Sequence, residues 1–240
     1  MPALFWGFVA SSSLLIGAAI VLVRPLSQRA IALVMAFGAG ALISAVAYDL
    51  VEDAYEHADG MTLFAGFAAG ALAFYAGDYL IDRWGGAHRK RSTGMQATGN
   101  GAAIAFGTVL DGIPESIVLG ATLVSGLSWT FLIAVFLSNL PEAMSATTGL
   151  RWAGRSTRSI LALWLATVVV SALAAAGGNA ILGDSPGGTV ALVQAFAAGA
   201  LLTMLADTMI PEAYEFGGRT TGLVTALGFS VAFGLSTLGG

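Results

Sequence analysis

The chain has 240 residues, 57% of them hydrophobic and 10% charged, with a formal net charge of −4 and a mean hydropathy of +0.82. Soluble globular domains carry about 25% charged residues, so this composition excludes a water-soluble domain and places the chain in a bilayer. The absence of cysteine excludes disulfides and thiolate metal ligands.

Eight apolar stretches follow one another, at residues 2–23, 31–53, 62–84, 101–125, 128–150, 158–182, 189–213 and 220–239. Each is near the ~20 residues needed to cross hydrocarbon as a helix. They leave almost nothing over. The expected fold is an all-α integral membrane protein of eight transmembrane helices, with residues 1–240 as a single polytopic domain. The first stretch lacks a basic n-region and a clear small-residue cleavage site, so it reads as a span rather than a signal peptide.

Charge sets the orientation. Arg24 and Arg29 follow span 1, and Arg83, Arg89, Lys90 and Arg91 follow span 3. Arg151, Arg155 and Arg158 follow span 5, and Arg219 follows span 7. All ten basic residues thus fall on one side, and Glu52, Asp53, Glu56, Asp59 and Asp184 on the other. Basic loops are cytoplasmic by the positive-inside rule. The expectation is a multi-pass protein of the cell inner (plasma) membrane with both termini outside. No basic residue is expected within a span core, which disfavours anionic substrates.

Span 2 opens with Ala36-Phe37-Gly38-Ala39-Gly40-Ala41-Leu42, and span 7 carries Ala195-Phe196-Ala197-Ala198-Gly199-Ala200-Leu201, 159 residues on. At the same offset Asp53-Ala54-Tyr55-Glu56 meets Glu212-Ala213-Tyr214-Glu215. Spans 2 and 7 run in opposite directions, so the likeness predicts inverted-repeat symmetry of the kind transporters use around a midplane site. Chance likeness among Ala- and Gly-rich helices is the plainer alternative.

Along the chain, His57 and His88 read as solvated loop residues on opposite sides. His57 stands among Glu52, Asp53, Glu56 and Asp59, a set read either as a cation-collecting mouth or as a plain solvated loop. Gly66 and Gly70 on span 3 mark a close helix contact. Asp78 and Asp82 sit near the cytoplasmic end of that span.

The chemistry concentrates on spans 4 and 5. Asp111-Gly112-Ile113-Pro114-Glu115-Ser116 lies in the first, and Ser138-Asn139-Leu140-Pro141-Glu142-Ala143 in the second. A carboxylate in hydrocarbon is costly and marks function by default. A proline inside a helix frees the carbonyl four residues earlier, here Leu110 and Leu137. Asp111 and Glu115, four apart, share a helix face, as do Ser138, Asn139 and Glu142. If these faces meet, three carboxylates and an amide converge, and a divalent cation relieves their repulsion. The candidate metal ligands are Asp111, Glu115, Asn139 and Glu142, with Ser138 a weaker contributor. An all-oxygen set suits hard cations such as Mg²⁺, Mn²⁺ or Fe²⁺. Asp207, Glu212 and Asp53 are candidate pathway residues, with Pro211 a third proline kink and a polar helix end near Arg219 the alternative for the first two. Met204 and Met209 read as packing.

At these motifs the chain resembles the ZIP family of divalent-metal transporters. The likeness rests on eight spans, paired polar-x-Pro-Glu elements on spans 4 and 5, and the Phe196-to-Ala200 opening and Ile210-Pro211-Glu212 close of span 7. The resemblance places Asp111 where the family has histidine, Gly112 where it has asparagine, and Glu115 at its glutamate; Ser138, Asn139 and Glu142 fill the span 5 positions. It implies a permease rather than an enzyme, which moves a zinc-, manganese- or iron-type cation towards the cytoplasm and forms homodimers. It implies no prosthetic group and no nucleic-acid partner; the partners are the metal substrate and the bilayer. The missing histidine turns the expectation away from zinc. The rivals are a non-transporting metal sensor and an intramembrane hydrolase built on Asp78 and Asp184.

Overall fold

The computed structural model describes residues 2–87, 89–93, 97 and 101–239. They form eight long helices: α1 Pro2–Val23, α2 Gln28–His57, α3 Gly60–Gly86, α4 Gly101–Ser125, α5 Trp129–Trp152, α6 Thr157–Leu182, α7 Gly187–Gly217 and α8 Thr220–Gly239. No strand occurs among the described residues. The apolar stretches and the helices agree to within four residues at every end. Helix starts follow local chemistry: the hydroxyls of Ser27, Ser128 and Ser156 accept from the amides of Ala30, Phe131 and Ser159. Asp59 does the same for Met61 and Thr62, satisfying donors that have no partner within the helix.

Seven of these helices are long and apolar enough to cross a membrane; α5 is the exception. The reason lies in its position. Ser138, Asn139, Glu142, Ser145 and Thr147 of α5 are all buried within the bundle. A helix surrounded by other helices has little lipid to face and tolerates polar groups that find partners.

Helix pairs α2–α8, α3–α7, α4–α6 and α1–α5 run against each other, and α1 also packs on α6. Glycines set how closely they approach. A Cβ on Gly40 would run into the Thr225 carbonyl of α8, and one on Gly228 into the Phe37 carbonyl of α2. Further along the chain, Gly199 stands in the same way against the Phe67 carbonyl of α3, and Gly70 against the Phe196 carbonyl of α7. Gly66 and Gly70 therefore mark a close helix contact, as their spacing indicates, and its partner is α7.

Both α2 and α7 contain a π-helical turn, Val46–Glu52 in the first and Leu205–Met209 in the second. The two turns begin 159 residues apart, the offset at which the sequences match. Wider turns of this type concentrate at functional sites. Here Asp49 lies in one and Asp207 in the other. Met35 and Leu42 of α2, Leu119 of α4, Phe131 of α5 and Met204 and Met209 of α7 share one core, so both of these α7 methionines serve packing.

Candidate cation site

Asp111, Glu115, Asn139 and Glu142 are all buried between α4 and α5, each at 6% exposure or less. Pro114 and Pro141 sit inside continuous helices. The carbonyl of Leu137 faces the backbone of Gly38 on α2, where a Cβ would come within 2.6 Å of it, so α2 covers that oxygen. The surroundings of Leu110 lie outside the described residues. Ser138 spends its hydroxyl on the Val135 carbonyl of its own helix, at 3.0 Å.

Two residues from outside the spans complete the site. In the last turn of α3 the chain bends at Gly85, whose φ of 99° suits glycine, and residues 89–93 fold back into the bundle. Arg89 and Lys90, expected in a solvated cytoplasmic loop, are 4% and 6% exposed. The Arg89 guanidinium grips Asp111 through two 2.9 Å contacts. It also reaches Asp78 at 2.5 Å and Asp82 at 3.4 Å. The Lys90 ammonium lies 3.3 Å from Asp111 and 3.1 Å from Glu142, bridging α4 and α5. The expectation of a core free of basic residues is thereby corrected. Buried carboxylates demand charge compensation, and the connecting segment supplies it where no span does.

Glu115 differs from its neighbours. Neither of its carboxylate oxygens has an aligned hydrogen-bond donor, although Glu142, Lys90 and Asn139 are its polar neighbours. Lys90 thus bridges Asp111 and Glu142, Glu115 lies beside them, and the three carboxylates do not close on one point. Among the described residues, Asp53, Glu56 and His57 alone form a group of three or more acids or histidines whose ligand atoms lie within 4.8 Å of one another.

Below the carboxylates, a cavity of about 190 Å³ is lined by Asp78, Asp82, Arg89, Lys90, Asp207 and Glu212, among others. Two of the predicted pathway residues, Asp207 and Glu212, therefore share a cavity with Arg89 and Lys90. Glu212 accepts from the Ser92 amide at 2.9 Å and from the Ser145 hydroxyl. Glu215 pairs with Arg91 at 2.6 Å. The third, Asp53, lies apart near the other end of α2, where Gln194 of α7 donates to it at 2.6 Å. Asp49 is held there by the Ser128 hydroxyl at 2.6 Å, and its second oxygen is buried without a hydrogen-bond donor. Asp59 does not join Asp53, Glu56 and His57, because it caps α3. The Thr62 hydroxyl, then the Thr62 and Met61 amides, hold its carboxyl below the usual aspartate range. His88 lies outside the described residues. Asp78 is committed to Arg89 while Asp184 sits in the turn after α6, so the two do not pair.

Sequence reasoning missed Arg89, Lys90, Ser92, Ser145 and Asp49. One signal was available. Gly107 and Asp111 lie four apart on one face of α4, and a Cβ on Gly107 would come within 2.6 Å of the Arg89 side chain. A buried acid one turn from a buried glycine leaves a groove for an arginine.

No protein-family model matches the chain, and no curated protein does.

Proposed function

We propose that this chain is an eight-span membrane transporter that moves divalent cations through the carboxylate set of α4 and α5. The observation that carries the reading is that positive charge is already bound there: Lys90 sits between Asp111 and Glu142. A site that holds an ammonium with oxygen ligands from two helices has the charge and donor type for a hard divalent cation. Asp111, Glu115, Asn139 and Glu142 are the primary ligands in this reading, and Asp207 and Glu212 line the route to the basic end.

Inverted-repeat architecture is part of the proposal. It is supported by the π-turns that start 159 residues apart and by the matched glycine contacts of α2 with α8 and of α7 with α3. Such symmetry lets two halves exchange inward- and outward-facing shapes around one site. The resemblance to ZIP transporters agrees with this and adds the expectation of inward transport across the plasma membrane by a homodimer. Asp111 and Gly112, in place of the family histidine and asparagine, turn the preference from zinc towards manganese, iron or magnesium.

Uptake by proteoliposomes, run in parallel with Mn²⁺, Fe²⁺, Mg²⁺, Co²⁺, Zn²⁺ and Cd²⁺, tests the proposal. Uptake that ranks Mn²⁺ or Fe²⁺ above Zn²⁺ is the expected result. Uptake of none of them by the folded protein overturns it.

A further inference from the structure

Arg89 and Lys90 come from a connecting segment rather than from a helix, and together they carry the charge of one divalent cation. They occupy the oxygens that the proposed function assigns to the transported ion. Arg89 takes both oxygens of Asp111, and Lys90 reaches Asp111 and Glu142. We propose that residues 89–92 are a tethered substitute for the substrate: they fill the carboxylate site when it holds no cation, and a divalent cation and this segment exclude each other. The inference rests on the cation-transport reading of the site.

Three features make the segment a switch rather than a fixed part of the core. First, Arg89 has a second station. The terminal nitrogen that binds Asp111 at 2.9 Å also binds Asp78 at 2.5 Å, and Asp82 lies at 3.4 Å. Losing Asp111 to an incoming cation therefore leaves the guanidinium paired, and the large penalty of an uncompensated buried charge does not arise. Second, the segment is held by separable polar contacts: Ser92 to Glu212, Gln28 to Ser92, and Arg91 to Glu215. Third, it closes the route itself. Asp207 and Glu212 share their cavity with Arg89 and Lys90, so an ion leaving the carboxylates towards the basic end must pass where these side chains sit. A ligand shifts a two-state equilibrium only by its difference in affinity between the states. Direct competition for the same oxygens supplies that difference.

The absence of native cysteine permits a clean test. Ser92 is 1% exposed in the closed arrangement. A single Ser92→Cys variant is labelled in detergent with a bulky maleimide, with and without Mn²⁺ or Mg²⁺, beside an always-exposed Ser156→Cys control. Slow labelling without cation is expected, with a rise of about tenfold or more when cation is added, as for a ligand that binds the open form ten times or more tightly. Ser92→Cys/Arg89→Gln is expected to label fast without cation. The same proteins are assayed for uptake in proteoliposomes. Uptake with labelling that ignores cation overturns the competition and leaves the transport reading standing. Cation-dependent labelling without uptake supports the competition and removes transport. Fast labelling of Ser92→Cys without cation, or slow labelling of the Arg89→Gln double variant, overturns the plug.

Discussion

Arg89 holds Asp111 by a two-pronged contact, Nε to one carboxylate oxygen and a terminal nitrogen to the other, both at 2.9 Å. The fork geometry is specific to arginine, whose planar guanidinium matches a carboxylate in a way that an ammonium does not. Arg89→Gln leaves Asp111 with Lys90 as its remaining cationic partner. Breaking a buried pair by removing one partner costs about 3–5 kcal/mol. The expected outcome is a large fall in thermal stability in detergent, and Arg89→Lys restores only part of it. Because the two groups act on each other, Arg89→Gln combined with Asp111→Asn costs less than the sum of the single changes, a coupling of about 0.5–3 kcal/mol in a double-mutant cycle.

Gly107 keeps the groove that Arg89 fills. A Cβ there comes within 2.6 Å of the arginine Cδ and 2.7 Å of Nε. Gly107→Ala should lower stability by about 1–3 kcal/mol through overpacking and loosen the 89–92 segment. Gly77→Ala on α3, with nothing within 4 Å of its Cβ position, is the control. Equal melting temperatures for the two variants would contradict the placement of Arg89 across α4.

The matched contacts of α2 and α7 give a prediction in pairs. Gly40→Ala forces α8 away from α2, and Gly199→Ala forces α3 away from α7. Both should destabilise to a similar extent, by about 1–3 kcal/mol or more, since backbone carbonyls rather than flexible side chains stand in the way. Thermal unfolding of the two variants checks this; a large loss in one and none in the other would contradict the proposed inverted repeat.

At the other end of the bundle, Asp59 caps α3 through its carboxylate. Its pKa is lowered by the Thr62 hydroxyl first and by the backbone amides next. A carboxyl with a depressed folded-state pKa stabilises the fold above its unfolded value and loses that contribution as pH falls through the folded one. Hydrogen exchange at Met61 and Thr62 should therefore speed up relative to the helix interior as pH drops through the acid range below that of an ordinary aspartate. In Asp59→Ala the same amides should already exchange fast at neutral pH, with no such acid step.

Much of this architecture is legible in the residues, and what is not has a physical reason. The stretch 101–125 coincides with α4, and 2–23 with α1, because apolar length alone decides where a span lies. The offset linking Phe37 to Phe196 also locates two backbone features, the π-turns at Val46 and Leu205. The spacing of Asp111 and Glu142 points to acids that converge on a divalent cation; in the structure both reach the Lys90 ammonium, a group that the sequence does not place there. The Arg89-Lys90 insertion was illegible for an energetic reason. Charge in a loop costs little when solvated, so the sequence alone places it in water, and only the carboxylates of three other segments reverse that preference. Asp49 escaped notice because a π-turn, which sequence periodicity does not announce, turns it towards Ser128.

Conduction of a divalent cation by the α4–α5 carboxylates, as proposed, requires those carboxylates to be ionisable. The most direct measurement is initial Mn²⁺ uptake by proteoliposomes of wild-type protein, Glu115→Gln, Glu142→Gln and the double variant, with folding checked by gel filtration. The expected result is uptake by the wild type, a loss of about tenfold or more in each single variant, the scale on which 1.4 kcal/mol of lost ligand binding reads out, and none above background in the double variant. Wild-type rates in a folded Glu115→Gln/Glu142→Gln protein would contradict it.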